Sequence, residues 1–432
     1  MEKIRYPRGF WPALVIFSLV GQVAWVVENM YFNVFIYKMF HASADTISLM
    51  VAASAVAATV TTLLIGALSD KIGRRKIFIC SGYILWGISI CSFALIRMDI
   101  IRAVVPATVS AATVGIALVL LMDCVMTFFG SSANDACFNA WLTDVVPEQG
   151  RGKAEGINAM MPLLAIIVVF GSFMFFDLGK ASSWTTIYLI IGIAVLLIGI
   201  LGFFLIQEQP VQNPENQQYF KNIIYGFRPD VMKANPILYL ILIAFAIFGI
   251  SIQIFMPYLI LYYNVTLGME NYVLVMAPAI ILASVVTAFY GRVYDRLGFQ
   301  SSLIPALCTL AAGYILLYCF RATVLVFIGS LLMMCGYLMG MAVFGAAIRD
   351  YMPKGKSGMF QGLRIVGQVL IPGVIGPEIG SAILKNAATI LNDDGRESFI
   401  PDARIFLASL VVLIVLIPVL IPLCRRMRKG RF

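Results

Sequence analysis

The chain has 432 residues, 61% hydrophobic and 12% charged, with a mean hydropathy of +0.93 and a formal net charge of +9. Soluble domains are about half apolar and about a quarter charged, so this composition excludes a water-soluble globular protein and indicates a polytopic membrane protein. The positive charge lies in connections between apolar stretches, without an aromatic-interleaved basic patch, which excludes nucleic acid as a partner.

Apolar stretches long enough to cross a bilayer as helices recur from end to end. Twelve are predicted, at 11–36, 46–68, 77–97, 112–142, 156–176, 184–206, 236–262, 272–293, 301–320, 323–348, 360–384 and 404–424. Lys3, Arg5 and Arg8 precede the first, as in a secretory signal. That run is about twice the length of a signal core, and it carries Glu28 and Asn29, so it reads as a retained span. The twelve spans alternate the loops between two sides. Twenty-one lysines and arginines fall on the side of the termini and eight on the other, with Arg349 and Arg364 in or near spans. By the positive-inside rule both termini are expected in the cytoplasm, and the protein in the plasma (inner) membrane. The eight cysteines nearly all lie within apolar stretches, with no CxxC pair, and the single histidine, His41, falls in a short loop. No metal site or cofactor is expected, and the cysteines read as small packing residues.

The longest polar interruption, residues 207–235, is rich in Gln, Asn and Pro and separates six spans from six. The expected organisation is an N-terminal six-helix half at 1–206, a cytoplasmic central loop at 207–235 and a C-terminal half at 236–432. Internal similarity supports a repeat. FSLVG at 17–21 aligns with FAIFG at 245–249, and GALSDKIG at 66–73 aligns with GRVYDRLG at 291–298. Asp144, three residues before Pro147, aligns with Asp350, three before Pro353. Each half therefore carries a charged turn at equivalent span ends. Gly66, Asp70, Gly73, Arg74, Arg75 and Asp144 are the candidate gating residues of the first half, and Asp295, Arg296 and Asp350 those of the second. An acid in such a turn can pair with the cations beside it and with the positive end of a neighbouring helix, forming a latch that breaks when the halves rock.

GALSDKIGRRK at 66–76 resembles the signature loop of the major facilitator superfamily, and GRVYDRLG resembles its degenerate second copy. The likeness extends over the whole chain through span count, central loop and repeat. It implies an all-α fold of twelve transmembrane helices in two six-helix halves that alternate access to a mid-membrane site. VAWVVENMYF at 23–32, SDKIGRRKIF at 69–78 and NDACFNAWLTDVVPEQGRGKAEG at 134–156 resemble the glycoside–pentoside–hexuronide:cation symporters and the related sucrose–proton symporters. In that group an acid on the first helix and an aspartate on the fourth serve sugar and cation, which implies such roles for Glu28 and Asp135. The second span has no buried acid where sodium-using members carry a pair, and the arginine common before the fourth-helix turn of sucrose transporters is absent. Both departures argue against a sodium site.

Ionisable groups inside spans cost about 2.5–3.5 kcal/mol each on insertion scales, so each is a functional candidate by default. Glu28 has Asn29 beside it, and its counterpart in the second half is Met256. Asp135 and Asn139, four apart, share one face of the fourth span, whereas Asp123 falls on another stripe and is either a site residue or an interhelical tie. In the eleventh span Gln361, Arg364 and Gln368 form a narrow polar stripe. Arg364 could pair with Asp135 to close a cytoplasmic gate, or pair locally. Gln253, four residues before Pro257, marks the seventh span as a bent, cavity-lining helix. No phosphate loop, nucleophile constellation or metal spacing points to an enzyme. The expected function is proton-coupled uptake of a small polar solute such as a sugar or glycoside, by a monomer in the lipid bilayer with no nucleic-acid partner. Efflux of hydrophobic or cationic compounds by proton antiport is the alternative, with the same acids as counter-charges.

Overall fold

The computed structural model describes residues 6, 9–106, 108–146, 151–207, 226–352, 362–392 and 396–429, except the side chains of 67, 70, 151–153, 155, 156, 428 and 429. In lipid a helix satisfies every backbone group within its own segment, and helices make up nearly all of the described residues. Ten described helices are long and apolar enough to cross a membrane, and the apolar helix Ile157–Phe173 is a shorter one. The longest, Val273–Cys319, leaves helical geometry at Gly298 and comprises two spans. The described residues therefore hold twelve spans, as the sequence predicts.

In order these are Phe10–Phe40, Ala44–Ile72, Arg75–Leu95, Ala111–Val145, Arg151–Phe173, Ala181–Leu205, Pro236–Thr266, 273–297, 299–319, Thr323–Tyr351, Gly362–Leu384 and Arg404–Met427. Several outrun their apolar cores. The second continues through the charged motif to Ile72, and the eighth runs through Asp295 and Arg296, where the sequence suggests a loop. The turn into the ninth span is made at Gly298, with φ 76° and ψ −177°, a conformation open essentially to glycine alone. Gly73, its counterpart in the repeat, also has positive φ, 71°. Two features have no counterpart in the sequence reading. A short helix, Met98–Val104, follows the third span, and a small hairpin follows the eleventh. Its strands, β1 (Thr389–Leu391) and β2 (Glu397–Phe399), pair antiparallel with Ile390 opposite Ser398.

The chain divides into two compact units, Met1–Ala42 with Val56–Phe220, and Ser43–Ala55 with Lys221–Phe432. Within the first, Gly87 and Gly192 bring the third and sixth spans close: a Cβ on Gly87 would lie 2.5 Å from the Gly192 carbonyl oxygen. Within the second, Gly313 and Gly336 do the same for the ninth and tenth spans, each facing backbone of the other helix. Small residues at crossings are what helices need in lipid, where no hydrophobic force drives them together. The first turns of the second span belong to the second unit. There Tyr258 donates to the Ala44 carbonyl (3.0 Å), Ser48 to Glu378 (3.1 Å) and Ser381 to Asp45. On the second span Val56, Val60, Leu64 and Leu68 recur every four residues as an exposed apolar stripe, suited to lipid.

Gly298→Val would force a β-branched residue into a glycine-only conformation. It is expected to destabilise the protein by about 1–3 kcal/mol, read as a lowered midpoint of unfolding in detergent. An unchanged midpoint would show that the turn tolerates side chains.

Candidate functional site

In the first unit the first and fourth spans both depart from regular α geometry, and each does so at its acid. The first is π-helical over Val27–Tyr31, which holds Glu28, and the fourth over Ser131–Phe138, which holds Asp135. The cause is local. SSANDACF contains four short polar residues that compete for backbone groups, and such residues bend helices by bonding back to carbonyls four positions earlier. Ser132 donates to the Phe128 carbonyl at 2.6 Å and Asn139 to the Asp135 carbonyl at 3.2 Å. In the first span Asn29 donates to the Trp25 carbonyl at 2.8 Å and Asn33 to the Asn29 carbonyl at 3.1 Å. π turns concentrate at functional sites because they re-aim side chains.

Glu28 is 7% exposed, and its Oε1 accepts a hydrogen bond from Thr127 Oγ1 at 2.7 Å. Asp123 is buried one turn before Thr127, and Cys124 lies within electrostatic reach of both carboxylates. Asp135, half-buried, accepts from Ser131 Oγ at 3.1 Å and from Asn134 Nδ2 at 3.3 Å. Asn134 in turn accepts from Tyr83 on the third span at 2.9 Å, and the same hydroxyl lies 2.8 Å from the Phe17 carbonyl. Asp123, Thr127, Ser131 and Asp135 lie at four-residue intervals along the span, and the hydroxyls of Thr127 and Ser131 meet the carboxylates of Glu28 and Asp135. Asn139, expected to share the site with Asp135, is exposed and bonds its backbone. Asn29 is likewise exposed. Thr127, Ser131, Asn134 and Tyr83 are the residues that sequence reasoning missed. The regular spacing of the first two with the aspartates was the available signal.

In the second unit the seventh span loses α geometry just after Gln253, through the 3-10 turn Met256–Tyr258 that contains Pro257. The bend stands where Pro257 predicts it. Gly376 of the eleventh span packs directly on Gln253. The eleventh span is π-helical over Val366–Leu370, which holds Gln368. Arg364 Nε donates to Gln368 Oε1 at 3.2 Å, so the local partner named as one of its two options is present. Gln361 lies outside the described residues. Glu378 and Asp45, absent from the sequence-derived candidates, are engaged by serines within this unit.

At the motif of the first unit, Arg75 is buried and its Nε donates to Asp144 Oδ2 at 2.5 Å. Its Nη1 also reaches Ser69 Oγ at 3.3 Å, and Ser69 donates to the Gly66 carbonyl at 2.9 Å. Gly73 forms the left-handed turn, and Arg74 is exposed beside it. The Asp70 side chain lies outside the described residues. In the second unit Asp350, counterpart of Asp144, accepts from Tyr294 at 2.6 Å, while Asp295 and Arg296 are exposed. Both copies tie the acid at the end of the fourth or tenth span to the turn between the two preceding spans.

A Cβ on Gly21 would come within 2.7 Å of the Tyr83 hydroxyl and 2.8 Å of Asn134 Oδ1. Gly21→Ala is therefore expected to part Tyr83 from Asn134 and cost about 1–3 kcal/mol. Thermal unfolding beside the parent checks this, and equal midpoints would mean that the crossing relaxes freely.

Residues 11–377 match the Major Facilitator Superfamily. No curated protein matches the chain by sequence. Its fold is similar to that of a mutant of the nucleoside transporter NupG, with a TM-score of 0.73 and 11% identity over 95% of this chain and 99% of that one. A D-xylose–proton symporter superposes with a TM-score of 0.70 and 12% identity, covering 95% and 97%. A bacterial homologue of the human lysosomal transporter Spinster, inward-facing and occupied, gives 0.69 and 13%, covering 96% and 97%.

Proposed function

Because the chain belongs to the Major Facilitator Superfamily and is a multi-pass membrane transporter rather than an enzyme, we propose that it imports a small polar solute, such as a sugar or glycoside, together with protons. The halves 1–206 and 236–432, joined by 207–235, would rock about a central site, with both termini in the cytoplasm of a plasma (inner) membrane monomer. One observation carries the reading: the first unit holds carboxylates at Glu28 and Asp135, deep within spans, each supplied with a hydroxyl donor. A carboxyl at that depth is far less costly neutral than charged, so it can take a proton on one side of the cycle and release it on the other.

The solute class rests on chemistry beside those acids. Asn29 and Asn139 are exposed amides flanking them, and Trp25, half-buried, packs on Trp86 at a centroid distance of 5.1 Å. Amides and an indole face suit a hydroxyl-rich ring. The neighbours described as a nucleoside transporter and a D-xylose–proton symporter handle solutes of that kind. The likeness to the glycoside–pentoside–hexuronide and sucrose symporters points the same way, since its two acids correspond to Glu28 and Asp135. In this reading Asp123, Gln253, Arg364 and Gln368 complete the binding and coupling set. Gly66, Asp70, Gly73, Arg74, Arg75, Asp144, Asp295, Arg296 and Asp350 form the gates.

Thermal stabilisation across sugars, nucleosides and drugs identifies a substrate for transport in proteoliposomes. Glu28→Gln and Asp135→Asn are then expected to abolish uphill accumulation, while at least one retains exchange between equal pools. Concentrative uptake surviving in both, strict dependence on sodium, or export of a lipophilic cation would overturn the proposal. Asp70→Asn should slow the conformational cycle with substrate affinity little changed. A large affinity change with unaltered cysteine accessibility on both faces would instead place Asp70 in the site.

A further inference from the structure

Glu28 poses a problem of access. It is 7% exposed, and its described donor, Thr127, is 1% exposed, so a proton reaching it needs a route through polar groups. Asp135 is the less buried acid, and its donor Ser131 stands one four-residue step from Thr127 on the same span. We infer that Thr127 and Ser131 form a proton relay along the fourth span, which loads Glu28 from Asp135. This rests on the proton-coupled reading above and adds to it a path and an order of protonation.

The geometry suits transfer. Hydroxyls both donate and accept, and each of these two already holds a carboxylate oxygen, at 2.7 Å for Thr127 and 3.1 Å for Ser131. Helical residues four apart have Cβ atoms about 5–6 Å from one another, a separation that one bridging water can span between the hydroxyls. In the forward step the proton on Asp135 Oδ2 passes to Ser131 Oγ, whose own proton leaves to the water. The water passes a proton to Thr127 Oγ1, and the threonine's original proton goes to Glu28 Oε1. Asp135 loses one proton, Glu28 gains one, and both hydroxyls and the water are regenerated. Among the described residues, ionisable groups close to this line include Asp123 and Cys124 on the same span, Tyr188 of the sixth near Asp123, and Tyr83 of the third near Asp135.

The test needs no substrate. Time-resolved infrared spectroscopy of the purified full chain after an alkaline-to-acid pH jump follows the carboxylic C=O bands, assigned with Glu28→Gln, Asp123→Asn and Asp135→Asn. In the parent the Asp135 band is expected first and the Glu28 band after it. In Thr127→Val the Asp135 rate should hold and the Glu28 rate should fall on the order of a hundredfold, and in Ser131→Ala and the double variant the Glu28 rate should fall as far relative to that of Asp135. Thr127→Ser should restore it, which separates the hydroxyl's role from packing, and it stands with Ser131→Ala should the valine variant fail to fold. Equal Glu28 rates in parent and variants, or Glu28 protonating at the parent rate in Asp135→Asn, would overturn the relay alone. Absence of either band in the parent would overturn the proton-coupled reading itself.

Discussion

A carboxyl group carried into a hydrocarbon layer has to be met by donors from the protein itself, because bulk water is excluded there. Glu28 meets this demand through Thr127, and Asp135 through Ser131 and Asn134. The rest of the first unit is arranged around those bonds. Asn134 is held by Tyr83, Tyr83 is buried against Phe17 and Trp86, and Gly21 leaves the space in which hydroxyl and amide meet. Removing one member strands a buried polar group, which costs more than the bond itself contributes. The network is therefore held as a whole.

Helix irregularity follows from the same demand. Regular α geometry would turn the polar residues of the fourth span progressively away from one another. The π segment Ser131–Phe138 reduces that drift over its own length, and segments of the same kind carry Glu28 and Gln368. A straight apolar helix would be the more stable spanning element; three of the departures fall at candidate site residues, while the π segment Tyr262–Thr266 of the seventh span holds none.

The two units reuse one device at their charged turns. Gly73 and Gly298 both take positive φ, and Asp144 and Asp350 each accept from a residue near that glycine, Arg75 in one and Tyr294 in the other. The acid and the turn persist while the donor has changed from a cation to a phenol. The first copy thus gains a charge pair and the second a neutral-donor bond, so the two ends differ in how strongly they are held.

How much was legible in the sequence depends on the range of the physics. The twelve spans were legible because crossing lipid requires about twenty consecutive apolar residues, a demand met within each segment. So were the repeat at Gly73 and Gly298, the bend at Pro257, and the buried acids Glu28, Asp123 and Asp135, which stand out against apolar neighbours. The structure alone decided that the eighth span runs on through Asp295 and turns at one glycine. It alone showed that the first turns of the second span join the second unit, and that Asp45 and Glu378 are engaged there by Ser381 and Ser48. It alone brought Thr127 to Glu28, because a hydroxyl's partner on another span is set by which helix crosses opposite it. Apolar length is summed along the chain, whereas a hydrogen bond within lipid is decided across it.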